Sequence, residues 1–406
     1  MFSEYITEQQ NTHMTHIEDK VLYGGVNGTR QAINALRELR DMLAGKTSSK
    51  LSVKWDGAPA IFAGTDPEDG AFFVAKKGIF AKTGAKVYKS NADIDAELSG
   101  DLADKMKLAL QYLPELGIKG VIQGDFLYAN NDLKREKIDG QQYVTFHPNT
   151  IIYAVPMSQS KTIEDAKIGI VWHTSYKGDK FENMKASYGV DVSKFKKTKN
   201  VWSQDAMLTN AGEATMNEKE TAEVTKYLSN AGKLFNKVSG STLRELEANE
   251  ELARLIEQYN NTFVREGQLL PPSRKHVVGL LKWMNTKFQK EKDKRKSEKG
   301  KAVQQKKLDE LMKFFSPRNR TSLVNMFDLQ KNLVLAKLKL INRLNSISKI
   351  DAFVQTKKGY KIKTGAEGFV AIDKLGGDAV KLVDRLEFSY NNFSPDILKG
   401  WEKPTR

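Results

Sequence analysis

Leu51-Ser52-Val53-Lys54-Trp55-Asp56-Gly57 alternates apolar and polar side chains for six residues and then breaks on Asp-Gly. A period of two running into such a break predicts a strand over Leu51–Asp56 that ends in a turn, with Lys54 and Asp56 on one face and Val53 and Trp55 on the other. Gly57 then permits a tight turn or the close approach of a phosphate. Upstream, Ile33, Leu36, Leu39 and Leu43 recur at helical spacing between Asn27 or Thr29 and Gly45, predicting a helix over 28–44. Downstream, strand signals fall at Ala60–Ala63, Phe72–Ala75, Gly120–Leu127, Tyr143–Phe146, Thr150–Val155 and Ile168–His173, interrupted by a helix at Asp101–Leu113. The pattern is α+β with a mostly antiparallel sheet.

From residue 180 to 350 the periodicity turns helical, over Glu218–Val238, Ser241–Asn260, Ser273–Phe315 and Thr321–Ile347, punctuated by Gly240, Pro271-Pro272 and Pro317. Strand signals return at Asp351–Thr356, Tyr360–Lys363, Glu367–Ile372 and Ala379–Phe388. Three segments are therefore expected. Residues 1–179 hold an N-terminal helix and the first part of a sheet domain, 180–350 a large helical insertion, and 351–406 the returning strands and a short tail.

The charge follows this division. Of the net +15, residues 251–350 hold +14, from 23 basic and 9 acidic side chains, whereas residues 1–150 carry 18 basic against 20 acidic. A basic stretch this concentrated suits a polyanion, with nucleic acid the expected partner. The run around Lys292, Lys294, Arg295 and Lys296 is its densest part; a solvated helical face is the plainer alternative. The chain has no cysteine, so any metal must be held by oxygen or imidazole. A polar, acidic start (Met1–Gln10) and the lack of any run of about 18 apolar residues predict neither a secretory leader nor a membrane span, hence a cytoplasmic protein. His13, His16, His147 and His173 are scattered and read as structural or surface groups.

A lone Lys-x-Asp-Gly arises by chance in roughly 10% of chains this long. Here it is followed in order by Gln123-Gly124-Asp125-Phe126-Leu127-Tyr128, by Thr150–Val155, by Glu367-Gly368-Phe369-Val370 and by Val380-Lys381-Leu382-Val383. That ordered set resembles the ATP-dependent polynucleotide ligase and mRNA-capping superfamily of covalent nucleotidyltransferases, over about residues 50–178 and 351–390.

The resemblance implies an antiparallel-sheet nucleotidyltransferase (adenylation) domain in which Lys54 takes AMP from ATP. Asp56 and Gly57 would belong to the nucleotide site, and Asp125 and Glu367 would hold Mg²⁺ or Mn²⁺ or the ribose. Tyr153 would stack on adenine, and Lys381 would face the phosphates. Arg385, taken to continue the same strand face, would replace a second lysine common in the family. In Phe73–Gly78, Lys77 would contact phosphate and Lys76 the nucleic acid.

An amine attacks phosphorus only when unprotonated, which at pH 7 costs a lysine about 4–5 kcal/mol unless burial, a neighbouring cation or a metal reduces it. Family DNA ligases and capping enzymes continue beyond the last motif into an OB-fold, which the sequence after Phe388 does not suggest. The expectation is an RNA-ligase-like, phage-type enzyme, acting in the host cytoplasm if phage-encoded. A DNA ligase of the same superfamily, or a non-catalytic nucleic-acid-binding protein on the same fold, are the alternatives.

Overall fold

In the computed structural model, the described residues are 15–47, 50–81, 84–207, 216–346, 350–359, 361–372 and 379–401. The segment Met1–Gln10 lies outside them. The strands are β1 (Lys50–Lys54), β2 (Ala60–Thr65), β3 (Phe72–Ala75), β4 (Val87–Tyr88), β5 (Val121–Ala129), β6 (Lys134–Ile138), β7 (Gln141–Phe146), β8 (Ile152–Pro156), β9 (Ile168–Lys177), β10 (Lys185–Tyr188), β11 (Val201–Asp205), β12 (Asp351–Gln355), β13 (Lys361–Thr364), β14 (Gly368–Ile372) and β15 (Ala379–Leu382). They form three sheets, with strand orders β10-β9-β5-β2-β3-β4, β13-β12-β8-β7-β6 and β1-β14-β15. Pairing is antiparallel except for β11, which joins β9 in parallel. The α+β expectation therefore holds.

β5 shows how the large sheet serves two cores at once. Register shifts against β9 fall between Gln123 and Gly124 and between Phe126 and Tyr128. The second breaks the alternation: Phe126 is buried beneath the helices Asn91–Glu97 and Gly100–Tyr112, while Leu127 and Tyr128 both pack toward the five-stranded sheet, among Phe146, Tyr153, Val155 and Val171. Gly124 is required where it stands, because a Cβ there would lie 2.3 Å from the Val171 carbonyl oxygen.

The largest core is helical. Helices Glu218–Phe235, Gly240–Ala248, Glu250–Arg265, Ser273–Asp293, Glu298–Met312 and Pro317–Asn345 bury Leu228, Leu243, Ile256, Leu280, Phe327 and Leu340 together with Leu36, Leu39 and Leu43 of the helix Gly25–Leu43. Each such side chain contributes about 1.5–3 kcal/mol of transfer free energy. The N-terminal helix thus belongs to the helical body rather than to the sheet domain expected over 1–179. Glu18 fastens this union, accepting from Lys337 Nζ at 2.8 and 2.9 Å with both side chains almost fully buried.

Two boundaries also move. Residues 180–207, assigned to the insertion, stay with the sheets, because β10 and β11 both pair with β9 and Val53 N–H donates to the Ala206 carbonyl. The segment Ser273–Phe315 is two helices, separated at Lys294–Ser297, where the Ser297 hydroxyl caps the second.

Candidate active site

The three-stranded sheet positions the charged residues. In its register Lys54 pairs with Gly368, and Ser52 pairs with Val370, which pairs in turn with Lys381. Directly paired residues share a face, so Lys54 and Lys381 project from one side. Leu51, Val53, Phe369 and Leu382 turn to the other and join the helical core. Glu367 enters this sheet one residue before Gly368, and its Oε2 receives Lys54 Nζ. Gly368 is needed there, since a Cβ would lie 2.5 Å from Val383 Cγ2. Burial pushes the Glu367 carboxyl above its usual range, offset in part by Lys54. Burial and then the Lys54 charge lower Lys381, whose amine sits 5.0 Å from the centre of the Phe388 ring.

Asp125 approaches from the large sheet. As the neighbour of Phe126 on β5, it projects from the opposite face, where burial pushes it up to about 7 against the pull of Lys54. His173 stands beside it, with Nε2 3.8 Å from Asp125 Oδ2. His173 is the extra residue of a bulge, because β5 Gly124 pairs with Trp172 and Gln123 with Thr174. Bulges redirect side chains in this way. Half-buried and near Lys54, the His173 ring is lowered to about 4, by burial and then by that charge, and is neutral at pH 7. Sequence offered no signal for this neighbour, since a register shift is set by pairing. Gly57 makes its close approach to Asp125 itself: a Cβ would lie 2.5 Å from Asp125 Cβ.

Several expected site residues do other work. β1 ends at Lys54, and Asp56 turns inward, 5% exposed, to accept from Asn149 Nδ2 (2.6 Å), Thr150 N (2.7 Å) and Ile151 N (2.9 Å). Its carboxylate is spent on clamping that loop. Tyr153 is 3% exposed, its ring 4.9 Å from that of Trp55 and 5.4 Å from that of Phe146, and its hydroxyl accepts from the Asp56 N–H at 2.6 Å. No face of it is open to an adenine.

Arg385 is not on a strand. β15 stops at Leu382, and Asp384 caps the helix Arg385–Phe393 by accepting from Leu386 N and Glu387 N. Asp384-Arg385-Leu386-Glu387 carries the spacing of a helix start, a signal that sequence reading passed over. Arg385 points away, donating to Asp19 Oδ2 at 2.9 Å and to Asn261 Oδ1 at 2.5 Å.

Lys76 and Lys77 follow β3 at the end of the large sheet where Ala60 pairs with Asp125; Lys77 is exposed and Lys76 half-buried. Lys294, Arg295 and Lys296 are exposed at the turn between two helices of the helical body, and Lys292 donates to Gln305 at 3.1 Å.

A cleft beside Glu367 is lined by Asp56, Ile151, Gly368 and the Glu387, Phe388 and Asn391 side of the Arg385–Phe393 helix. Among the described residues, no group of three or more His, Asp or Glu side chains could hold a metal ion. Mg²⁺ requires fewer, since it keeps waters and takes one or two carboxylates together with substrate phosphates. Asp125 and Glu367 are the carboxylates there that both feel the Lys54 charge. No helix among the described residues is long and apolar enough to cross a membrane.

The chain belongs to a family of unknown function, DUF6267, which it matches over residues 11–396. No curated protein and no solved structure matches it.

Proposed function

We propose that this member of the family is an ATP-dependent polynucleotide ligase, RNA-ligase-like, that works through a lysyl-AMP intermediate. The observation that carries the reading is the meeting of Lys54 with Glu367, 313 residues later in the chain, on the face of the small sheet that also presents Lys381. A nucleophilic amine, a carboxylate bound to it and a second lysine are the side chains that phosphoryl transfer from ATP needs.

In this reading the Lys54 amine, having lost its proton, attacks the α-phosphorus of ATP. A P–N bond forms, the P–O bond to the β-phosphate breaks, and pyrophosphate leaves with the electron pair. The 5′-phosphate of a polynucleotide then displaces Lys54 from AMP, and a 3′-hydroxyl displaces AMP in turn. Lys381 neutralises phosphate charge, and the partner of Lys54 in the resting protein, Glu367, is freed as the amine is engaged. Mg²⁺ or Mn²⁺, held through Asp125 and Glu367, would supply further neutralisation. Phe388, rather than Tyr153, is the ring beside the cleft. The basic turn at Lys292–Lys296 would hold the polynucleotide.

Incubation with α-labelled ATP or GTP and a divalent metal, followed by denaturing electrophoresis, tests the reading. An acid-labile AMP label is expected on the native sequence and none on Lys54→Ala, with Glu367→Ala and Asp125→Ala strongly impaired. Label on Lys54→Ala, or label from GTP alone, would sink it. Reversing Lys292, Lys294, Arg295 and Lys296 to glutamate should weaken polynucleotide binding and flatten its salt dependence while leaving the label intact. Unchanged binding and salt slope would make the turn a solvated face.

A further inference from the structure

A cavity of about 220 Å³ opens between the helices Glu250–Arg265 and Pro317–Asn345 and the first turn of the helix Arg385–Phe393. Leu269, Leu270, Val334, Leu335 and Leu338 line it, and Leu269 and Leu335 are 57% and 37% exposed, so its mouth is apolar and open. Its depth is charged and closed from solvent: Glu18, Asp19, Gln330 and Lys337 are each 3% exposed or less.

The hydrogen bonds at that depth do not close. Lys337 gives its ammonium to both Glu18 oxygens. Arg385 donates to Asp19 Oδ2 and to Asn261, Gln330 Nε2 donates to the Glu18 carbonyl, and Lys331 donates to the Pro271 carbonyl. Asp19 Oδ1 and Gln330 Oε1 are left buried with no partner. Unpaired buried acceptors are rare because nothing repays their lost hydration.

We propose that the cavity binds a small amphiphile with a hydrogen-bond-donating head, of the primary alkylamine class, its ammonium satisfying Asp19 Oδ1 and Gln330 Oε1 and its chain lying along the leucine wall. A carboxylate head would bring a third acceptor and a like charge beside Glu18, whose carboxyl Lys337 and Arg385 keep ionised. A hydroxyl has one proton for two acceptors. Water could pair with both oxygens but would leave the apolar wall wet. Because both oxygens are shut off from solvent, the head enters by a side-chain rotation of the lining. The inference does not depend on the ligase reading, since none of these residues is assigned to AMP transfer there.

Calorimetric titration of the full chain with hexylamine, hexan-1-ol and hexanoate tests it. Saturable one-to-one binding of hexylamine is expected, with the alcohol and the acid weaker by at least about tenfold, the scale set by unpaired buried polar groups. Val334→Trp, which fills the cavity at a half-buried position, should abolish binding while the circular dichroism stays native. Gln330→Met, which keeps the volume and removes the acceptor, should weaken hexylamine by about tenfold and leave hexan-1-ol unchanged. The site is overturned if hexylamine does not bind, if the three ligands bind alike, or if a folded Val334→Trp binds as before. Should Val334→Trp fail to fold, the ligand series and Gln330→Met decide.

Discussion

Two lysine–glutamate pairs, Lys337–Glu18 and Lys54–Glu367, use the same groups in opposite ways. In the seam between the N-terminal turn and the helical body, the side chains of Lys337 and Glu18 are almost fully buried, both carboxylate oxygens are engaged, and Arg385 adds a second cation at 3.6 Å. Burial alone would raise Glu18, but Lys337 and Arg385 outweigh it and hold the carboxyl below its usual range. At the small sheet, Lys54 is 26% exposed and reaches one oxygen of Glu367, whose carboxyl burial drives the other way, upward. One pair is over-satisfied and fixed in place. The other engages a single carboxylate oxygen at the edge of a cleft.

The largest effect expected from this contrast is chemical. Lys54→Ala should abolish the AMP adduct while lowering unfolding free energy by about 1–2 kcal/mol, less than for the buried pair, since Lys54 is 26% exposed and the buried Glu367 carboxyl can take up a proton; a loss of about 3–5 kcal/mol in urea titration would make it a structural pair like the other. Lys337→Met should do the reverse. Leaving Glu18 buried with only Arg385 for compensation is expected to cost about 3–5 kcal/mol. Adduct formed per folded molecule should be preserved, as labelling normalised to the folded fraction would show.

The helical body also carries a pH signature. His276 is fully buried against Tyr259 and Phe327, bonded through Nε2 to Asn260 Oδ1, and burial lowers it to about 4. Because the unfolded chain takes up this proton near pH 6.5 and the folded one only near 4, the contribution is complete above 6.5 and is lost as pH falls toward 4. Between pH 7 and pH 5 the native protein should lose about 2 kcal/mol through this one ring. His276→Gln should lose that much less than the native protein over the same interval; parallel curves would show that the folded ring takes up its proton as readily as the unfolded chain. Last, Tyr153→Phe should cost about 1 kcal/mol for the lost hydroxyl contact with the Asp56 N–H and leave labelling unchanged. Loss of label would return Tyr153 to the nucleotide site.

What the sequence disclosed and what it hid divide along physical lines. The convergence of Lys54, Glu367 and Lys381 was legible because each lies in or beside a short strand whose pattern is local, and the order of the segments tied them together. Asp56 was misread because its alternation with Lys54 ends where β1 ends, and its partners Asn149, Thr150 and Ile151 come from a loop that no period predicts. Tyr153 sits on a strand buried on both faces, where an aromatic looks the same whether it meets a base or another ring. His173 owes its place beside Asp125 to a bulge, and the helix Gly25–Leu43 owes its allegiance to the helical body to contacts far along the chain. The Asp384 cap was local and legible, and an apolar run across it was taken for a strand instead.

The separation of Lys54 from Glu367 also orders events in time. Residues 50–207 can pair β2, β3, β5 and β9 among themselves as they leave the ribosome, and the helices of 218–345 follow with the Gly25–Leu43 helix waiting for them. β1, though made early, has no mate in its sheet until β14 is synthesised. Closing so long a loop is entropically slow compared with the local pairings. Lys54 therefore emerges long before Glu367, so a half-made chain carries the amine without the carboxylate that holds it.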